Sequence, residues 1–363
     1  MSMETPFGSL KDIDLDDART VYDILAHDKH SVAEGMVVES LFDQIIEHIP
    51  KVVEGGSAIL LDVETFITRD RENFNVRHAF VWARTKGDGL GRYLNALEKG
   101  FRVYLLEWVE DSAVFMARVI RDGRTVKRMP LAELVEELGS YHGRKHEVTA
   151  EVKDAERHLG AFWGYLKQRP HGYLKYNVAL PRLLVNWGIQ PWFTSVWNID
   201  RVVIMDDRIW ALEVKHKFPY GDPGALEFGL NTGEAYLLKD LGRIGINGLH
   251  AIIVKPYWDK KVGSSYLVTD FDARDKALLL GITVGTREIT RILAAAPRSS
   301  PNHTSIDGKT RPKFYGIAAT DFIRLSFLCN REEIAKRLCL LLQGKLTDYC
   351  SDDQLRSLRI DKT

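Results

Sequence analysis

The spacing of apolar residues divides the first 140 residues into a mixture of helices and strands. Residues 37–49, VVESLFDQIIEHI, carry apolar side chains at the period of an amphipathic helix. Residues 130–139, PLAELVEELG, predict another helix, with a proline at its start and a glycine at its end. Strands are predicted where β-branched and aromatic residues concentrate, at 57–66, 77–84, 101–109 and 112–120. We therefore expect a mixed α/β module in this part of the chain.

Residues 198–217, NIDRVVIMDDRIWALEVKHK, predict a β-hairpin that carries charges where core residues would be expected. Both arms are rich in β-branched and aromatic residues, and Asp206-Asp207 interrupts them at the middle. A turn centred on this pair places Asp200 opposite Glu213. Lys215 shares the face of Glu213, because side chains on a strand alternate with period two. Three charged groups are therefore expected on one patch.

These three side chains indicate a metal-dependent phosphate site. Like charges directly opposite each other destabilise a sheet, so Asp200 and Glu213 require a compensating cation. A hard divalent ion such as Mg²⁺ suits one or two carboxylates supplemented by water and phosphate oxygens. The fixed positive charge of Lys215 is then available to orient a water molecule or to neutralise a phosphoryl oxygen.

An aspartate, a turn and then Glu-x-Lys at the end of the next strand resemble the core motif of the PD-(D/E)xK nuclease superfamily. Asp200, Glu213 and Lys215 match it residue by residue, with Ile199 in place of the proline. The resemblance implies an α/β (α+β) protein with a restriction-endonuclease-like core, a mixed sheet flanked by helices. It implies that Asp200, Glu213 and the carbonyl of Val214 hold Mg²⁺, for which Mn²⁺ can substitute, while Lys215 positions or activates the attacking water. The implied reaction is endonucleolytic hydrolysis of DNA phosphodiester bonds, leaving a 5′-phosphate and a 3′-hydroxyl.

The flanking sequence resembles the same fold over roughly residues 150–260, the size of a small domain. Residues 174–191, LKYNVALPRLLVNWGIQP, resemble the helix, glycine and strand before the motif, and residues 231–256 resemble its following helix and strand. Asn177 stands in the preceding helix where an additional acidic ligand often lies, and Glu156 is a candidate for that extra acid. A one-metal site is therefore better supported than a two-metal site.

Charge is balanced over the whole chain but not along it. The 363 residues include 50 lysines and arginines and 50 aspartates and glutamates, which argues against nonspecific coating of nucleic acid but permits a local basic groove. Residues 157–199 contain no acidic residue and interleave cations with aromatic rings, a composition suited to a nucleic-acid path. Candidate nucleic-acid contacts are Lys175, Arg182, Lys217 and Asn231, the last of which also fits a capping box with Glu234.

Three consecutive regions are expected along the chain. They are a targeting or regulatory module at 1–140, the nuclease-like core at 141–294, and a linker with a helical extension at 295–363. The module is the candidate site for a regulatory ligand or protein partner, and double-strand cleavage would suggest a homodimer. Because no apolar run approaches membrane-spanning length and the acidic opening lacks a signal-peptide core, we expect a cytoplasmic protein with no membrane partner.

Two alternatives stay open on the sequence alone. Asp62 and Glu64, in LLDVETF, resemble the first acidic motif of DEDD-type exonucleases, although no convincing middle motif follows. The other alternative is a nuclease-like fold that binds nucleic acid or a partner without cleaving it, which the missing helix acid keeps open. DNA is not distinguished from RNA, nor endonuclease from exonuclease. Restriction, phage defence, transposition and repair are all compatible settings.

Overall fold

The computed structural model describes residues 3–29, 31–53, 56–70, 73, 75–139, 146–148, 156–259, 262–300 and 311–360. The chain forms two compact units, each assembled from several segments. The first comprises Met1–Val32, Leu61–Ala155 and Trp163–Val202, and the second comprises Ala33–Leu60, Glu156–Phe162 and Val203–Thr363. The chain therefore passes between the units several times. The sequence interpretation instead expected three consecutive regions, at 1–140, 141–294 and 295–363.

Helices and strands occur in both units and are numbered in chain order. The strands are β1 (Glu4–Thr5), β2 (Gly8–Ser9), β3 (Ala58–Leu61), β4 (Val63–Arg69), β5 (Arg77–Ala83), β6 (Arg102–Val109), β7 (Val114–Arg121), β8 (Arg124–Pro130), β9 (Ser195–Ile199), β10 (Arg201–Met205), β11 (Arg208–Lys217), β12 (Glu227–Asn231), β13 (Ile246–Val254), β14 (Leu278–Val284), β15 (Arg298–Ser299), β16 (Lys313–Ala318) and β17 (Ile323–Phe327). The α-helices are α1 (Ala18–Ala26), α2 (Ser31–Ile46), α3 (Ile49–Val52), α4 (Leu90–Glu98), α5 (Leu131–Leu138), α6 (Glu156–Leu166), α7 (Leu180–Leu183), α8 (Thr232–Arg243), α9 (Tyr266–Thr269), α10 (Phe271–Asp275), α11 (Thr286–Ala294), α12 (Arg331–Leu342) and α13 (Asp352–Ser357).

The first unit contains a six-stranded mixed sheet with the order β8-β7-β6-β5-β4-β9. β5 and β6 are parallel, and the other neighbouring strands are antiparallel. The consecutive β5 residues Ala79, Phe80, Val81 and Trp82 are all buried, which means that both faces of the sheet are covered at this strand. On one face, the Tyr93 hydroxyl of α4 donates to Thr65 Oγ1 at 3.1 Å.

The second unit contains a six-stranded mixed sheet with the order β17-β14-β13-β11-β10-β3 and a three-stranded sheet with the order β12-β16-β15. β11 and β13 are parallel, so the chain must cross over between them, and α8 lies on that connection. Apolar side chains of the larger sheet, including Ile252 and Leu280, form one core with Phe228 of β12 and Leu238 of α8. This packing fixes the helix against the sheet.

Two features around the predicted hairpin differ from the sequence interpretation. Residues 174–191 contain no strand: α7 is flanked by the π-helical segments Leu174–Ala179 and Leu184–Ile189. The strand beside β10 is β3, from far upstream, while β9 pairs with β4 in the first unit. The apolar pattern of a segment reports its local periodicity but not the distant strand with which it pairs.

Other local predictions agree with the structure. The helices predicted at 37–49 and 130–139 correspond to α2 and α5, and the protein is a mixed α/β structure with mixed sheets. Much of the proposed linker falls at 301–310, outside the described residues. In the part of the chain that the structure describes, none of the helices combines the length and apolar character required to cross a bilayer.

Candidate functional site

The hairpin that carries the motif turns at Asp206 and Asp207. β10 ends at Met205 and β11 begins at Arg208, which leaves a two-residue turn between neighbouring strands. Asp206 has a φ of 52°, the left-handed conformation that tight hairpin turns require. Its Oδ1 accepts a hydrogen bond from the Ser57 amide at 3.1 Å, and its own amide donates to the Ser57 carbonyl at 2.8 Å. The turn is therefore held to the residue that precedes β3.

Glu213 and Lys215 lie on one face of β11 and form an ion pair with each other. Their side chains are 13% and 33% exposed, respectively, so the lysine is the more accessible of the two. Asp200 directly precedes β10, belongs to the first unit and is buried. The structure therefore brings Glu213 and Lys215 together within the second unit, and the alignment of Asp200 with Glu213 stays a prediction from the turn.

A buried acid–base pair that the sequence interpretation missed lies beside Glu213. In the parallel ladder of β11 and β13, Glu213 pairs with His250, which puts the two side chains on the same face. Nδ1 of His250 is 2.9 Å from Oε1 of Glu234, a residue of α8. The imidazole is fully buried and the Glu234 side chain is only 12% exposed. The available signal was a histidine inside the apolar run LHAIIV.

Lys217 is the third charged residue on this face of β11. Its ammonium donates a hydrogen bond to the Gly229 carbonyl at 2.6 Å. Burial lowers the pKa of Lys217 to about 8, against the opposing influence of Glu234. Burial disfavours the charged form of Glu234, but His250, Lys215 and Lys217 together hold its pKa at about 2. Glu234 is thus ionised at neutral pH.

The predicted capping box is divided between two roles. Asn231 is the N-cap of α8 and accepts a hydrogen bond from the Gly233 amide at 2.8 Å. Glu234, which was expected to complete the box, instead contacts His250 of β13. Asn231 remains exposed at the start of α8, where backbone amides and the helix dipole favour an anion.

The opposite face of the β11 end carries a separate polar network. His216 points away from Lys215 and Lys217: its Nδ1 is 3.1 Å from Glu34 Oε1, and its Nε2 is 2.6 Å from the Tyr266 hydroxyl. Burial lowers the pKa of His216 to about 4. Burial opposes ionisation of Glu34, but its contacts with His216 and the charge of Lys255 hold its pKa at about 2. This network fixes the strand end to α2.

The other predicted nucleic-acid contacts already have carboxylate partners in the first unit. Lys175 Nζ lies 3.2 Å from Asp16 Oδ2 and also pairs with Glu110. Arg182 Nε donates to the buried carboxylate of Asp28 at 2.8 Å. Binding of phosphate by these two cations stays a prediction. Glu156, the candidate extra acid, begins α6, but its side chain lies outside the described residues.

The acids of the alternative DEDD-like motif lie beside an arginine. Arg84 Nη2 is 2.6 Å from Glu64 Oε2, and Arg84 Nη1 is 3.5 Å from Asp62 Oδ1. The second oxygen of Glu64 accepts a hydrogen bond from Asn198 Nδ2 at 2.8 Å. Both oxygens of Glu64 therefore already have partners within the protein, whereas Asp62 is 47% exposed and more distant from Arg84.

A magnesium ion stays a prediction of the sequence motif. The motif would supply the carboxylates of Asp200 and Glu213 and the Val214 carbonyl, and water and phosphate would fill the remaining positions. Across the described residues, no three histidine, cysteine, aspartate or glutamate side chains are clustered closely enough to hold a metal ion by themselves. Comparisons with protein-family models, curated proteins and solved structures found no match for this chain.

Proposed function

We propose that this protein is a metal-dependent DNA endonuclease with a restriction-endonuclease-like core in its second unit. The observation that carries the proposal is the location of Glu213 and Lys215. Both project from one face of β11, after a two-residue hairpin turn and beside the parallel strand β13. A carboxylate and an ammonium group on adjacent same-face positions suit a metal ion and a phosphate that must be bound together.

The connections around β11 support this core. A hairpin, a crossover through α8 and a parallel strand follow one another in the order that the motif implies. On the other side of the hairpin, β3 extends the sheet and is preceded by α2 and α3. We infer that the core begins with these N-terminal elements, and that most of the chain between β3 and β10 is an insertion into it.

The roles of the residues follow from their charges. Asp200, Glu213 and the Val214 carbonyl would hold Mg²⁺, which when bound stabilises charge on the phosphate and lowers the pKa of a coordinated water. Lys215 would leave its ion pair with Glu213 and turn to the phosphate. Its fixed charge would stabilise the pentacovalent transition state and orient the attacking water. Its partial exposure leaves room for that movement.

The proposal is tested by incubating the protein with supercoiled, linear and single-stranded DNA in Mg²⁺, Mn²⁺ or EDTA. The matched variants are Glu213→Gln and, as a control, Glu227→Gln, because Glu227 is also a strand carboxylate of the second unit with a cationic partner, Arg298. Metal-dependent cleavage that is lost only in Glu213→Gln supports the proposal. Equal cleavage by both variants would show that Glu213 is not required for catalysis. DNA binding without any cleavage would favour the non-catalytic alternative.

A further inference from the structure

Three exposed arginines lie side by side at one end of the sheet in the first unit. Arg121 of β7 pairs directly with Arg124 of β8 across a two-residue turn. Val103 of β6 pairs with Ile120 of β7, so Arg102, the preceding residue, lies next to Arg121. The arginine row therefore consists of Arg102, Arg121 and Arg124 on three adjacent strands and spans about 10 Å.

The row concentrates positive charge. All three residues are exposed, and among the residues that the structure describes none of them forms an ion pair with a carboxylate. One exposed acid, Asp122, lies in the turn between Arg121 and Arg124. Two other acids nearby contact other groups: Glu98 accepts a hydrogen bond from the Gly123 amide at 2.9 Å, and Asp70 lies 3.8 Å from Nε2 of His78. Like charges paired across strands destabilise a sheet, so the row costs stability in the isolated protein.

Protection of a sheet edge does not account for the row. Charged residues on an edge strand prevent pairing with other chains, and this explains Arg124, because β8 is an edge strand. Arg102 and Arg121, however, lie on β6 and β7, which have neighbours on both sides. Arginine on every strand matches a partner with planar, bidentate acceptors, which phosphate groups provide.

We propose that the arginine row binds the phosphate backbone of duplex DNA. The row lies in the same unit as Asp200 but toward the other end of the sheet. Arg102 is four residues from Leu106 along β6. Leu106 pairs with Trp82 of β5, and Trp82 pairs with Glu64 of β4. Glu64 lies next to the end of β9 that leads to Asp200. Strand rise and spacing give a separation of about 20 Å from Asp200. At about 3.4 Å per base pair, this separation from Asp200 corresponds to about six base pairs. The inference adds a contact to the proposed function.

The test is fluorescence anisotropy of a labelled DNA duplex in EDTA, which measures binding without cleavage and so stays informative if the proposed function fails. The triple variant Arg102→Gln/Arg121→Gln/Arg124→Gln is compared with Lys127→Gln, because Lys127 is also on β8 but pairs with Glu137 at 2.8 Å. The triple variant should bind at least about 10-fold more weakly, with a salt-dependence slope reduced by about 2 to 3. Lys127→Gln should retain wild-type affinity.

Thermal unfolding of the same variants separates binding from folding. Because it removes like-charge repulsion, the triple variant should unfold at the same temperature as the wild type or higher. The inference is overturned if the wild type does not bind duplex DNA, or if the triple variant keeps the wild-type affinity and salt dependence. It is also overturned if polyglutamate of equal charge concentration displaces the wild type as well as unlabelled duplex does, because the row would then select charge and not phosphate.

Discussion

Glu213 and His250 occupy paired positions on the parallel strands β11 and β13, and the His250 imidazole contacts Glu234 of α8. Burial lowers the pKa of the His250 imidazole, and Glu234 opposes that shift. The carboxylates of Glu213 and Glu234 share this face with the ammonium groups of Lys215 and Lys217. Glu213 forms an ion pair with Lys215, and the charges of both lysines help to hold the pKa of Glu234 at about 2. The two carboxylates and the two ammonium groups therefore compensate one another.

Replacing Glu234 with glutamine should destabilise the second unit. The buried ammonium of Lys217 would lose a compensating negative charge, and removing one partner of a buried charge pair costs about 3 kcal/mol. Urea unfolding at pH 7 measures the change. Glu333→Gln on the exposed face of α12 is the control and should alter stability by less than about 0.5 kcal/mol. Equal stability of both variants would contradict the charge balance.

Acid should weaken the protein through His216. The pKa of this histidine is about 4 in the folded protein, against an ordinary value of 6.5, so between these values the unfolded chain binds a proton that the folded protein does not. Stability contributed by His216 is therefore complete above pH 6.5 and is lost as the pH falls toward 4. When the pH is lowered from 7 to 5, the free energy of unfolding of His216→Gln should fall by about 2 kcal/mol less than that of the wild type, as measured by urea unfolding. Identical pH dependence of the two proteins would rule out this contribution.

Alanine and glycine at position 206 should differ in their effect on the free energy of unfolding, because this residue of the hairpin turn has a positive φ. Asp206→Ala and Asp206→Gly both remove the side-chain bond to Ser57, but only glycine adopts the positive φ without strain. The alanine variant should be less stable than the glycine variant by about 1 kcal/mol in chemical denaturation. If alanine were equally stable, the left-handed conformation would not be required at this position.

The acids of the alternative motif should be dispensable for cleavage. Asp62 is 47% exposed and lies near Arg84, which already pairs with Glu64. Asp62→Asn should therefore nick supercoiled DNA in Mg²⁺ at a rate within about threefold of the wild type, because it removes no ligand of the proposed metal ion. A large loss of the nicking rate in this variant, with an unchanged unfolding transition, would transfer the catalytic role to the Asp62–Glu64 motif.

The sequence contains enough information to predict the hairpin that carries the motif. The concentration of β-branched and aromatic residues in both arms predicted the two strands, and the pair Asp206-Asp207 located the turn between them. Strand β11 continues to Lys217, as the assignment of Lys215 and Lys217 to one face requires. These features depend on neighbours in the chain, which is why their signal is readable from a short window.

The parts that could not be predicted depend on long-range contacts. His216 and Glu34 are separated by 182 positions in the sequence. Strand β10 pairs with β3, although most of the first unit lies between these two strands in the sequence. Glu234 fitted a helix cap equally well, and only the packing of α8 against β13 decides that it contacts His250. Division of the chain into interleaved units has the same cause, because strand partners are chosen by packing and not by proximity in sequence.

The most direct measurement for the proposed active site is the single-turnover cleavage rate of Lys215→Met in Mg²⁺, with DNA affinity measured in parallel. A catalytic Lys215 predicts a rate reduced by at least about 100-fold, because a positioned charge that stabilises the transition state contributes about 3 kcal/mol. DNA affinity and the unfolding transition should change little. Cleavage within threefold of the wild-type rate by a folded Lys215→Met protein would contradict the proposal that this lysine and Glu213 form the catalytic centre.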